Sequence, residues 1–115
     1  LHNDEMRVTA TTVRVPVFDC HSESINIEFE KPFEMDELLE TLKNAPGVVL
    51  QNNSAANEYP LAVDAAGHDE VFIGRVRRDE SVESGVNIWV VADNIRKGAA
   101  TNAVQIAEEI IKNMQ

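Results

Sequence analysis

Two side chains seven residues apart, Arg14 and His21, flank a proline turn in the segment running from Val8 to Ser24. An arginine presents a planar fork of N–H donors matched to a carboxylate, and a histidine is the side chain most readily used for proton transfer near neutral pH. A turn at Pro16 could bring both into one pocket from the end of a strand. On residue types alone, a surface or ion-paired arginine and a surface or core histidine fit the same pattern. The chain's only thiol, Cys20, directly precedes His21. It reads as a small packed side chain.

Elements must position these groups. Arg7 to Val15 alternates in Thr and Val and stops at Pro16, which cannot donate to a ladder, so a first strand is expected there. Ile25, Ile27 and Phe29 alternate with Asn26, Glu28 and Glu30, the pattern of a second strand solvated on one side. Met35, Leu38, Leu39 and Leu42 recur at helical spacing among Glu34, Asp36, Glu37 and Glu40, which predicts an amphipathic helix ended by Pro46-Gly47. Val48 to Leu50 is a short apolar run, and Gln51 to Glu70 has so little period that loop is the default. Val71 to Arg77 and Val86 to Asp93 are strand-like and close enough for an antiparallel hairpin. Ala103, Ala107, Ile110 and Met114 mark a C-terminal helix, with Asn102 and Gln105 spaced as a capping box. The order β-β-α-β-β-β-α points to an α+β fold, a mixed and mostly antiparallel sheet with helices on one face.

At 115 residues there is room for one domain, and 43% apolar content can build its core. Twenty acidic against ten basic side chains give a net charge of -10, which opposes binding to nucleic acid or an anionic membrane surface. No apolar stretch approaches the roughly 20 residues needed to span a bilayer. Seven carboxylates lie between Glu23 and Glu40, in a run that lacks calcium-loop spacing and reads as solvated faces. A single cysteine excludes an intrachain disulfide and favours a reducing, cytoplasmic setting. His2, His21 and His68 are too scattered to suggest a metal, and none is expected. Glycines stand only at 47, 67, 74, 85 and 98, so neither a dinucleotide-binding G-x-G-x-x-G nor a P-loop occurs. The chain opens on Leu1 without an initiator Met and runs directly into patterned sequence, as a fragment or processed product would.

Several motifs in one order carry a resemblance. Arg-Val-Pro-Val at 14–17, His-Ser-Glu-Ser at 21–24, Tyr59-Pro60, Phe72 to Arg77, Trp89 to Asn94, Lys97 to Ala100 and Asn102 to Glu108 resemble the aspartate-β-semialdehyde dehydrogenase family over nearly the whole chain. The resemblance implies the C-terminal, substrate-binding and dimerisation domain, residues 1–115, with the fold of the C-terminal domain of glyceraldehyde-3-phosphate dehydrogenases. It implies a full-length enzyme that converts aspartyl phosphate to aspartate semialdehyde with NADPH and releases phosphate, in the route to lysine, methionine and threonine. The nucleotide-binding domain and the nucleophilic cysteine would lie outside this chain, which alone is expected to be inactive and to bind NADPH weakly. The arginine matching Arg14 would hold the substrate carboxylate, and the histidine matching His21 would be the acid/base partner of the nucleophile. Asn94 and Gln105 would approach the NADP cofactor, although capping and packing account for both equally well. Trp89 and the hairpin strands suit a homodimer interface. An isolated, non-catalytic dimerisation module is the alternative reading, and a reductase of another semialdehyde or acyl phosphate is a third. Cys20 stands where a glycine or alanine is expected.

Overall fold

The computed structural model describes residues Glu5 to Met114. Its centre is a four-stranded sheet made of β1 (His21–Glu28), β2 (Val48–Leu50), β3 (Val71–Asp79) and β4 (Gly85–Ala92), in the order β1-β4-β3-β2. β1 pairs antiparallel with β4 from His21 opposite Ala92 to Glu28 opposite Gly85. β4 pairs antiparallel with β3, and the short β2 runs parallel to β3. The sheet is therefore mixed and mostly antiparallel, and the hairpin and the second expected strand form where the alternation placed them.

The pleat divides the core into two layers. On one face Ile27, Val48, Leu50, Val71, Ile73, Val86, Ile88 and Val90 meet Met35, Leu38, Leu39 and Leu42 of helix α1 (Met35–Asn44). The apolar spacing of α1 alone dictates this seat, since its stripe must be buried and the acids between must stay wet. The seven carboxylates from Glu23 to Glu40 are all exposed, as solvated faces should be. On the other face, Cys20, Phe72, Val91 and the half-buried Trp89 pack against Ala62, Ala65 and Ala66 of helix α2 (Ala62–Ala65) and its end.

Three details differ from the sequence expectations. First, residues 6–20 carry no strand; they hold a tight turn, with Val17 N–H donating to Val15 O at 3.0 Å, and Val8, Val13, Val15, Val17 and Phe18 are exposed. Thr/Val alternation records fitness for a pleated surface, and among the described residues no strand pairs with this segment. Second, the segment 51–70, expected as loop, contains a 3-10 turn at Ser54–Ala56 and the four-residue α2. α2 lies across the sheet from α1, so the helices do not all share one face. Third, the C-terminal helix α3 (Ala100–Asn113) starts two residues before Asn102, and Ala99 is its N-cap without a side-chain bond. Asn102 and Gln105 therefore form no capping box.

A register shift between Gly74 and Arg77 bulges β3. Gly74 is required there by close approach, because a Cβ would sit 2.2 Å from Gln51 O and 2.4 Å from Pro60 Cδ.

Candidate functional site

His21 is the first residue of β1, and its position is set one residue earlier. Cys20 adopts a left-handed backbone with φ +74°, which turns the chain from the exposed segment into the sheet. Its side chain is buried among Ala65, Phe72 and Val91, and Sγ lies 3.2 Å from Ala62 O as a donor. Burial, with Asp93 and Asp19 adding like charge, raises the thiol's pKa above its ordinary value. Cys20 is a packed thiol, as its size suggested, and the small residue expected here is explained by a conformation that suits glycine.

Alternate residues of a strand share a face, so His21 and Glu23 point the same way, beside Ala92 and Val90 of β4. With Val71, Asn94, Lys97 and Gly98 they line a cleft of about 340 Å³. The loop that follows β4 supplies Asn94, Lys97 and Gly98 to the lining, and Asp93 shapes that loop. Asp93 is buried, and its carboxylate accepts hydrogen bonds from Gly67 N–H at 2.8 Å and Ile95 N–H at 2.9 Å. These bonds, aided by the nearby Arg96, hold its pKa below the ordinary carboxylate value. Its carbonyl accepts from Lys97 N–H at 2.7 Å, and Arg96 pairs with Asp69 at 2.7 Å. The loop carrying Asn94 and Lys97 is thus tied at several points to the rest of the fold.

Of the residues singled out by sequence, His21 and Asn94 share the cleft. Gln105 reaches its edge indirectly, accepting a hydrogen bond from Lys97 Nζ at 2.8 Å. Arg14 does not line it: it is exposed, within the segment that lacks a strand, so the two side chains do not project from one sheet. Trp89, read as an interface residue, donates Nε1–H to Pro60 O at 3.0 Å and packs against the α2 layer within this chain. Glu23 and Lys97 were not singled out from the sequence. The period-2 spacing from His21 could have found Glu23, whereas Lys97 depends on a tertiary turn. His2 lies outside the described residues; among those described, no three His, Cys, Asp or Glu side chains are grouped to hold a metal ion. No helix among them is long and apolar enough to cross a membrane.

Comparison with known proteins bears on what this cleft belongs to. Residues 1–97 match the family model described as semialdehyde dehydrogenase, dimerisation domain. The aspartate-semialdehyde dehydrogenase of Aquifex aeolicus (strain VF5) is 57% identical over 112 residues, which are 97% of this chain and 33% of that protein. The Legionella pneumophila protein of the same name is 51% identical over 109 residues, covering 94% of this chain and 31% of the relative. This chain spans about a third of the length of these relatives. Among solved structures, aspartate semialdehyde dehydrogenase II from Vibrio cholerae, also solved in complex with ASA, superposes with a TM-score of 0.78 at 46% identity. That match covers 86% of this chain and 29% of the other. Motif order, the α+β fold and these similarities agree, and the chain belongs to the semialdehyde dehydrogenase dimerisation-domain family.

Proposed function

We propose that this chain is the C-terminal, substrate-binding and dimerisation domain of an aspartate-semialdehyde dehydrogenase, which reduces aspartyl phosphate to aspartate semialdehyde and releases phosphate. The observation that carries the reading is the cleft, which holds a histidine and a polar loop at the mouth of the sheet in a chain 57% identical to an enzyme of that name. In such a reaction a thiolate attacks the acyl carbon, phosphate departs, and the resulting thioester is reduced. The nucleophile is assigned outside this chain, because Cys20 is buried and its thiol is stabilised in the protonated form.

His21 is assigned as the acid/base group that takes the proton from the attacking thiol and exchanges the proton needed when the reduced adduct collapses to aldehyde. Arg14 is assigned to the substrate carboxylate. Its exposed segment, with Val13, Val15 and Phe18 uncovered, would be covered by the remainder of the protein, with the guanidinium brought toward His21. Apolar side chains of α3, among them Ile106, Ile110 and Ile111, are likewise exposed and suit the same role. The sheet face bearing Ser24, Asn26 and Asn87 beyond α2 is assigned to a two-fold homodimer.

The cofactor assigned is NADP, whose reduced form, NADPH, would supply hydride when bound. This chain has no glycine-rich turn to cradle its pyrophosphate, and only Asn94 and Gln105, amides at or beside the cleft, are suited to meet it. A reduced, buried lone thiol fits a cytoplasmic setting. The test is kinetic, in the full-length protein that carries this chain. Arg14→Lys should mainly raise the KM for aspartate semialdehyde, because an ammonium keeps the charge and loses the two-pronged contact. His21→Asn should lower kcat about a hundredfold. Wild-type kcat in the Asn variant across the pH range would overturn the assignment, and turnover by the 115-residue chain alone would overturn the division of labour.

A further inference from the structure

One cation in the His21 cleft has no task in the reaction as assigned. Lys97 lines the cleft, and both its backbone and its ammonium group are anchored. Its backbone N–H donates to Asp93 O at 2.7 Å, and its Nζ donates to Gln105 Oε1 at 2.8 Å. Its neighbour Arg96 is matched to the carboxylate of Asp69 at 2.7 Å. Lys97, by contrast, forms no ion pair among the described residues, and Glu23 on the facing strand is not within ion-pair distance of it. In a chain with twenty acids for ten bases, an ammonium tethered to a neutral amide is a distinctive choice. The amide oxygen accepts one N–H and fixes the direction of the side chain, but leaves its charge uncompensated and two donors free.

We propose that Lys97 binds the phosphate group of a ligand seated in this cleft, with Gln105 as the positioning residue that aims it. The inference rests on the functional reading for the ligand's presence beside His21, and on the geometry for the residue. Lysine is a compact point charge that serves tetrahedral phosphate, and the planar fork of arginine serves carboxylate and phosphate alike. With Arg14 assigned to the carboxylate, Lys97 is the cation of the cleft left for the phosphate of an acyl phosphate that also carries a carboxylate. The same phosphate chemistry could come from a nucleotide, and the experiment separates the two sources.

Calorimetric titration of the full-length protein with inorganic phosphate, and separately with NADPH, is compared for wild type, Lys97→Met, Lys97→Arg and Gln105→Leu. The Met variant should weaken one of the two ligands at least about tenfold, and the Arg variant should stay within about threefold of wild type. Gln105→Leu should fall between them. Loss confined to inorganic phosphate assigns Lys97 to the reactant's phosphate, and loss confined to NADPH assigns it to the nucleotide's. Binding of both ligands by the Met variant within about twofold of wild type overturns the proposal, as does an Arg variant as weak as the Met variant. Failure of the wild type to bind either ligand overturns it too. Because binding is read without turnover, failure of the dehydrogenase reading is detected separately, as absent His21-dependent conversion of aspartate semialdehyde.

Discussion

Two glycines of this fold are needed for different physical reasons, and replacing each by alanine should separate them. At Gly74 a Cβ would stand 2.2 Å from Gln51 O and 2.4 Å from Pro60 Cδ, so about 1 Å of separation must open to reach ordinary contact. Neither neighbour is free to give. Gln51 N–H donates to Ile73 O at 2.8 Å, and Pro60, itself fully buried, accepts from Trp89 Nε1 at 3.0 Å. Moving either by that distance breaks a hydrogen bond, costing about 1 kcal/mol, on top of about 1–3 kcal/mol for overpacking. Gly74→Ala should therefore lose roughly 2–4 kcal/mol, a fall in Tm on the order of 10 °C. At Gly47 the backbone has φ +72° and a Cβ meets nothing within 4 Å, so alanine there should cost only the left-handed strain, about 1 kcal/mol. Urea denaturation of both variants followed by circular dichroism measures the pair. If Gly74→Ala lies within 1 kcal/mol of wild type, or if Gly47→Ala costs more than Gly74→Ala, the steric account of the β3 bulge is wrong.

Cys20→Gly and Cys20→Ala should have stabilities within about 0.5 kcal/mol of each other, since relief of left-handed strain, about 1 kcal/mol, offsets the additional buried carbon lost, about 0.8 kcal/mol. A glycine variant markedly less stable than the alanine variant in the same denaturation assay would remove strain from the account of this position. Asp93 has a folded pKa below its ordinary value, so its contribution to stability is complete above that ordinary value and is lost as pH falls through the folded one. Asp93→Asn should flatten the acid limb of Tm plotted against pH, and an unchanged acid limb would refute the role of the loop anchor. The 115-residue chain alone should bind NADPH no tighter than about 10 µM by calorimetry, given its net charge and lack of a phosphate-cradling turn; tighter binding would contradict this.

What the sequence made legible was whatever its periodicity encodes locally. The stripe of Met35, Leu38, Leu39 and Leu42 specifies both a helix and the face it buries, and the alternation at Ile25 and Ile27 does the same for β1. Arg7 to Val15 alternates equally well, yet forms no strand, because pairing is a property of two segments and the pattern describes one. α2 has four residues, fewer than two turns, so no period could reveal it. Within the site, His21 and Asn94 were legible through the family motifs that contain them, since residue type alone leaves His21 equally readable as a surface or core histidine. The tether from Lys97 to Gln105 spans eight residues around the start of a helix, and only the path of the backbone brings those side chains together. The left-handed turn at Cys20 left one trace in the sequence, a small residue before the histidine.

The pairing that holds His21 joins residues about seventy positions apart, whereas β3 and β4 are joined by a short turn. Closing so large a loop is entropically slow, so in folding the hairpin can form before β1 adds to its edge. The same asymmetry governs opening. Among the described residues β1 is an edge strand, bonded on one side only, and can detach while the Asp93-anchored loop and the hairpin remain intact. Hydrogen exchange at the amides of β1 would then report the fraction of time the cleft retains its histidine, and a partner docked against that strand would raise this fraction without touching the imidazole.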